Sequence, residues 1–191
     1  MKKIPAVFLL DWEGKRLARN EVHPDAQWVI AGEGVATRKW DGTCCMIRNG
    51  QLYKRYEIKR GGRAPASFEP ANDVDPKTGK QQGWVPVGDG PEDQYHRAAL
   101  ASCPDLSDGT YELIGPKVQG NVENRDAYML VRHGAEVIEN APRDFDGLRQ
   151  FLRDRDIEGI VFHHPAGRMA KVKKRDFGLP RTSQERPKEC D

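Results

Sequence analysis

Two strand-forming runs, Thr43–Arg48 and Gln51–Ile58, flank Asn49-Gly50, and no other stretch of the chain limits its fold as strongly. A two-residue loop of this type needs positive φ at both positions, which Asn tolerates and Gly adopts freely, and it joins antiparallel strands. The chain therefore carries an antiparallel sheet. Running into the first of these strands is Ala36–Ile47, ATRKWDGTCCMI, centred on Lys39-Trp40-Asp41-Gly42. A lysine at a strand end, followed by a carboxylate and a glycine, has what an amine nucleophile needs: a pocket to face, a turn that approaches a bound phosphate, and room for neighbours that tune it. A K-x-D-G tetrapeptide alone recurs by chance, so its meaning depends on the segments downstream of it.

Short elements separated by turn residues recur along the chain. Ile4–Leu10 reads as a strand closed by Glu13-Gly14, and Arg16–Val22 as its return. His23-Pro24-Asp25 breaks the run, Trp28-Val29-Ile30 is short and apolar, and Gly32-Glu33-Gly34 turns into the lysine motif. Residues 61–93 are rich in Gly and Pro and read as a long, partly mobile surface insertion, with Trp84-Val85-Pro86-Val87 its one strand-like piece. Glu92–Ser102 predicts a helix stopped by Pro104, Thr110–Ile114 and Tyr128–Val131 predict strands, and Phe145–Arg155 a helix capped by Asp144. Gly159–His163 and Met169–Lys173 predict a closing hairpin across Pro165-Ala166-Gly167. The expected fold class is α+β.

At 191 residues the chain fits one domain, taken as residues 1–180 with a polar tail from 181 to 191. The longest apolar run, Ala6–Leu10, is far too short to span a membrane, and Asp11 and Glu13 interrupt the leader-like start Met1-Lys2-Lys3. Cys44, Cys45, Cys103 and Cys190 have the linear spacing of neither a zinc site nor a disulfide framework, so a reducing cytoplasm is the expected setting. The net charge of +2 conceals two basic segments. Arg48–Arg63 holds six basic residues against Glu57, and Arg168–Lys188 holds eight against Asp176 and Glu185. Two such segments predict a polyanionic partner; the plainer reading is two solvated faces.

Downstream of Lys39 come Arg55 and Arg60 in LYKRYEIKRG, Glu112 in TYELIG, Glu158 in EGIVF, and Lys171 with Lys173 in MAKVKK. Lys171 and Lys173 are two apart in a strand and so share a face. Near Lys39 they would favour a neutral amine and balance charge on an α-phosphate. Glu158, followed by Gly159, suits a carboxylate that holds Mg²⁺ beside phosphates, and Glu112 could accept from ribose hydroxyls. His163-His164 does not suit a metal pair, because adjacent strand residues face opposite ways. Cys44-Cys45 read as small apolar strand residues, and Trp40, Phe162 and Met169 suit core packing or a nucleotide base equally.

In that order KWDG, YELIG, EGIVF and KVK resemble motifs of the covalent nucleotidyltransferases: DNA ligases, RNA ligases and capping enzymes. The wider matches KWDGTCC, TYELIGPKVQGN, EGIVFHHP and KVKKRDFGLP are similar to the small 5′–3′ RNA ligases found from bacteria to vertebrates. The resemblance implies an adenylation domain of the ligase type (ATP-grasp-like), with antiparallel sheets around a nucleotide pocket and no oligonucleotide-binding barrel. It implies that Lys39 takes AMP from ATP, with Asp41 and Gly42 shaping its turn. Glu112 would contact ribose, Glu158 would hold Mg²⁺ or Mn²⁺, and Lys171 and Lys173 would contact the α-phosphate. An arginine following the nucleophile would touch nucleotide or RNA phosphate; Arg55 and Arg60 both fit, Arg60 preferred. The implied partner is RNA with 5′-phosphate and 3′-hydroxyl ends; the sequence does not fix the oligomeric state, with a monomer favoured. A capping-type guanylyltransferase, a minimal DNA ligase and a non-catalytic RNA-binding module are the other readings. Cys44 and Cys45 stand where DNA ligases and capping enzymes place an arginine, which favours the RNA ligases.

Overall fold

Asn49 and Gly50 adopt φ of +51° and +73°, and the strands they join pair with Arg48 opposite Gln51 and Cys45 opposite Lys54. The computed structural model describes residues 4–103 and 105–181. The expectations for Met1-Lys2-Lys3, Pro104, Cys190 and the tail from residue 182 lie outside the described residues. In chain order come β1 (Phe8–Leu10), β2 (Ala18–Val22), α1 (Gln27–Ile30), β3 (Val35–Lys39), β4 (Thr43–Arg48), β5 (Gln51–Ile58), β6 (Glu69–Pro70) and β7 (Gln81–Pro86). They are followed by α2 (Gln94–Ser102), β8 (Gly109–Ile114), β9 (Met129–Arg132), α3 (Phe145–Arg153), β10 (Gly159–His163) and β11 (Met169–Lys173). The class is α+β with antiparallel sheets. No helix among the described residues is long and apolar enough to cross a membrane. The chain divides into two compact units, Gly42–His133 and Ile4–Asp41 with residues from 134 on, so Lys39 and Asp41 belong to one and Gly42 to the other.

In the Gly42–His133 unit a six-stranded sheet has the order β6-β7-β5-β4-β8-β9. Side chains alternate across a strand, so Cys45, Ile47, Leu52, Tyr111, Leu113 and Leu130 enter one core, closed by Ala99 of α2. The same alternation turns Cys44 and its cross-strand partner Glu112 to the other face. Lys54 reaches Asp93, which is buried at the foot of α2 and also accepts from the Gly88 amide at 2.8 Å. The 61–93 segment contributes more than expected. It lays β7 along β5 and β6 along β7, with Trp84 and Val85 buried, and β7 starts three residues before the apolar stretch. Gln81, Gln82 and Gly83 carry no apolar signal; backbone bonds to β5 recruit them.

In the second unit β10 lies between β3 and β11, and β1 pairs with β2. Ala6 joins the ribbon to β11 by a parallel bridge to Lys171. Ala36, Ile160, Phe162, Ala170 and Val172 point into a core shared with Leu148 and Leu152 of α3, Phe8 and Phe177. Phe162 is thus a core residue, fully buried. Trp28 and Val29, whose short apolar stretch matches no clear periodicity, form one buried helical turn. Asp144 caps α3, accepting from the Gly147 amide at 2.8 Å.

Leu152 has no exposed surface, so Leu152→Ala strips packing from the core and leaves a cavity, a loss of about 2–5 kcal/mol. Asp144→Ala loses only a cap, about 1 kcal/mol. Urea unfolding followed by circular dichroism should rank the two in that order.

Candidate active site

Lys39 is the last residue of β3, and the register of the sheet sets its surroundings. Across the three strands Lys39 lies opposite Gly159, and Gly159 opposite Lys173; one step along, Thr37 lies opposite Val161, and Val161 opposite Lys171. Cross-strand partners share a face, so all three lysines project from the side of the sheet that faces away from the Phe162 core. Two strand spacings put the Lys39 and Lys173 backbones about 9.5 Å apart, with no side chain at the position between them. A Cβ on Gly159 would sit 2.1 Å from the Val172 carbonyl oxygen, so the backbones pack too closely for any other residue.

Glu158 directly precedes β10, and its carboxylate forms an ion pair with the Lys39 ammonium. Burial raises the pKa of Glu158 above the ordinary carboxylate value even though Lys39 pulls it down. Burial also lowers Lys171, to about 8, helped by the charges of Lys173 and Lys39, and lowers Lys173, helped by Arg175. A hard anion approaching this face would meet several ammonium groups that lack full hydration, a setting that favours phosphate.

Asp41 is held from its own unit. Arg181, 5% exposed, places Nη1 3.8 Å from Asp41 and donates from Nε to Asp156 at 2.9 Å. It therefore links the residue two after Lys39 to the residue two before Glu158. Nothing in the local sequence announces this contact, which joins positions 140 residues apart. Trp40 is buried beneath the Arg38 guanidinium, 3.7 Å from ring centroid to Cζ.

The remaining expected site residues lie in the other unit. Gly42 packs on β8, where a Cβ would meet the Leu113 carbonyl oxygen at 2.1 Å. Glu112 is buried in β8, with Oε2 2.8 Å from His133 Nε2. Arg55 is half-buried in β5, lies over the Trp84 ring and donates to Gln82 at 2.6 Å. Arg60 is exposed in the turn after β5. Sequence reading missed His133 and the polar setting of Cys44, because their meeting depends on strand register.

The two histidines of β10 and its end diverge as expected: His163 bonds Thr37 Oγ1 at 3.0 Å, and His164 bonds Glu33 at 2.7 Å. Met169 lines a separate cavity of about 440 Å³ with Trp28 and Arg168, at the opposite end of β11 from Lys173. Parts of the basic segments are spent internally. Lys174 is buried and donates to the Arg155 carbonyl oxygen at 2.8 Å, and Arg48 pairs with Glu69 at 2.6 Å. Lys59, Arg60 and Arg63 remain exposed; Arg186 and Lys188 lie outside the described residues.

A family model for RNA ligase 1 matches residues 92–187, half of the chain and the half that holds Glu112, Glu158, Lys171 and Lys173. The chain belongs to the RNA ligase 1 family. Lys39 precedes the matched stretch, but full-length relatives extend over it. RNA ligase 1 of Mus musculus is 26% identical over 265 aligned positions, 93% of this chain and 80% of its own. RNA ligase 1 of Rattus norvegicus aligns at 26% over 93% of this chain and 81% of its own, as does that of Danio rerio.

The Lys171 shift has a consequence for stability in this RNA ligase 1 family member. Below about pH 8 the ammonium is charged in both folded and unfolded chains, and the folded chain bears the full cost of burying it. Between about 8 and the ordinary lysine value of 10.5 only the unfolded chain keeps the proton, so folding gains stability as pH rises. Lys171→Met should therefore be more stable than the parent at pH 7. Urea titrations at increasing pH should show that margin shrinking above pH 8.

Proposed function

We propose that this protein is an ATP-dependent RNA ligase that works through a lysyl-AMP intermediate. The observation that carries this reading is the Lys39–Glu158 pair at the head of a cross-strand row with Lys173, beside Lys171. Family membership and the RNA ligase 1 relatives support RNA as the substrate class and a nucleotide as the co-substrate.

In the first step the Lys39 amine, relieved of its proton, attacks the α-phosphorus of ATP. The Nζ–P bond forms, the bond to the pyrophosphate oxygen breaks, and pyrophosphate leaves. An RNA 5′-phosphate oxygen then attacks the same phosphorus, and the amine departs with its electron pair, giving an RNA-adenylate. Finally a 3′-hydroxyl attacks the RNA 5′-phosphorus, its proton is lost, AMP leaves, and a phosphodiester joins the ends. These are in-line displacements at phosphorus, so positioning and charge neutralisation do most of the work.

Each residue's part follows from its surroundings. Glu158 holds the Lys39 ammonium and is the carboxylate in place to accept its proton or to exchange it for a metal ion. Lys171 and Lys173 face the charge that builds on the α-phosphate. Arg181 steadies Asp41 and hence the turn after the nucleophile. A carboxylate beside a phosphate subsite fits Mg²⁺, or Mn²⁺, which takes one or two protein carboxylates and fills its shell with phosphate oxygens and water. When bound, the metal would be held by Glu158 and would supply charge neutralisation. The roles of Glu112 toward ribose, Gly42 in the nucleophile's turn and Arg55 or Arg60 toward nucleotide or RNA phosphate belong to the same proposal and rest on the family resemblance.

Incubation with α-labelled ATP and Mg²⁺ should leave label on the protein that survives base and is released by acid. Lys39→Ala should remain unlabelled, and label on that variant would end the proposal. Lys39→Arg should also fail, since guanidinium does not give up its proton to attack. Glu158→Ala and Lys173→Ala should each lower the labelling rate by roughly 10²-fold or more, as loss of one transition-state contact does. Labelling by GTP instead would indicate a capping-type enzyme. Sealing of nicked DNA in preference to 5′-phosphorylated RNA would indicate a DNA ligase.

A further inference from the structure

Three strands of the six-stranded sheet bring Glu112 together with Cys44 and His133, two side chains that the ligation steps leave unused. Cys44 of β4 and Glu112 of β8 are directly opposed, and β9, opposed to β8 on its other side, delivers His133 just beyond its end. The His133 amide continues the ladder, donating to the Thr110 carbonyl oxygen at 3.0 Å. His133 Nε2 lies 2.8 Å from Glu112 Oε2, and one sulfur, one nitrogen and one oxygen from the three residues all lie within 4.8 Å of one another. Glu112 is buried and the other two are half-buried. The second ring nitrogen, His133 Nδ1, is buried and makes no hydrogen bond among the described residues.

We propose that Cys44, Glu112 and His133 form a binding site for a thiophilic divalent cation of the Zn²⁺ class, and that its occupancy competes with nucleotide for Glu112. The donor set decides the class. Thiolate and imidazole select zinc-like ions, whereas Mg²⁺ requires oxygen ligands. Bond lengths of about 2.0–2.3 Å set tetrahedral ligand atoms roughly 3.3–3.6 Å apart, so side-chain shifts of at most about 1.5 Å close the shell. Three protein ligands leave the fourth position for water. A thiolate and a carboxylate would neutralise the ion, and Arg55 lies close enough to Cys44 to interact with it electrostatically. The ligands come from positions 44, 112 and 133, which is why cysteine spacing along the chain gave no hint of them. The competition, though not the metal site itself, rests on the proposed role of Glu112 toward ribose.

The test uses the full chain with Co²⁺ as the optical probe. Co²⁺ should produce a thiolate-to-metal charge-transfer band and intense visible bands of a tetrahedral site, both abolished by one equivalent of Zn²⁺. Cys44→Ser should lose the charge-transfer band, and Cys44→Ser and His133→Gln should each weaken Zn²⁺ binding at least about tenfold. Cys103→Ser should change nothing. Circular dichroism of each variant verifies that it is folded. No charge-transfer band in the parent, or an unchanged one in Cys44→Ser, overturns the metal site. In the labelling assay, Zn²⁺ should raise the ATP concentration for half-maximal rate at least about tenfold in the parent and leave Cys44→Ser unaffected. Equal inhibition of both, or of neither, overturns the competition. A protein that no nucleotide labels would remove the ligase reading, while the cobalt spectra would still decide the metal site.

Discussion

The ion pair between Lys39 and Glu158 is the contact on which the arrangement depends. It joins the end of β3 to the start of β10, so it forms only when those two strands pair in one register. A slip of β3 by one residue would turn Lys39 toward the apolar core and Ala36 out of it. That inversion would expose an apolar side chain and desolvate a charge at once, which holds the register in place. The core of the second unit thereby fixes which lysines share a face, although none of its residues takes part in the chemistry.

Close packing explains the two glycines beside the charged groups. Gly42 and Gly159 each have a carbonyl oxygen 2.1 Å from the point where a Cβ would stand. At Gly159 the missing side chain also clears the middle of the row between Lys39 and Lys173. Close backbone packing and a clear position between the two lysines thus come from the same glycine, and a larger residue there would disturb both at once.

Charge is distributed with similar economy. Lys171 and Lys173 are partly buried, and their pKa values fall because desolvation and neighbouring cations outweigh the pull of Glu158 and Asp176. Two other buried charges meet opposite ones: Asp93 meets Lys54, and Arg181 meets Asp156 and Asp41. Crowded, partly desolvated cations on one sheet face are costly to the folded chain, and such local cost is characteristic of a site built for a ligand of opposite sign.

That Lys171 and Lys173 share a face was legible before any fold was known, because a strand's period of two places alternate residues on one side; Lys39 was singled out by the family resemblance of KWDG, YELIG, EGIVF and KVK in that order. The Asn49-Gly50 hairpin and the Asp144 cap of α3 were legible for the same local reason: short-range backbone geometry dictates the residue type. The strand at Gln81–Gly83, the burial of Lys174, the Arg181 link and the Cys44–Glu112–His133 cluster were not. Each is made by residues distant in sequence, and only pairing and packing of the folded strands selects which of many polar side chains meet. Local propensity and spacing thus determined the elements and the chemical inventory. Tertiary structure decided the partners, since contact between remote residues depends on register and burial, quantities that no single segment contains.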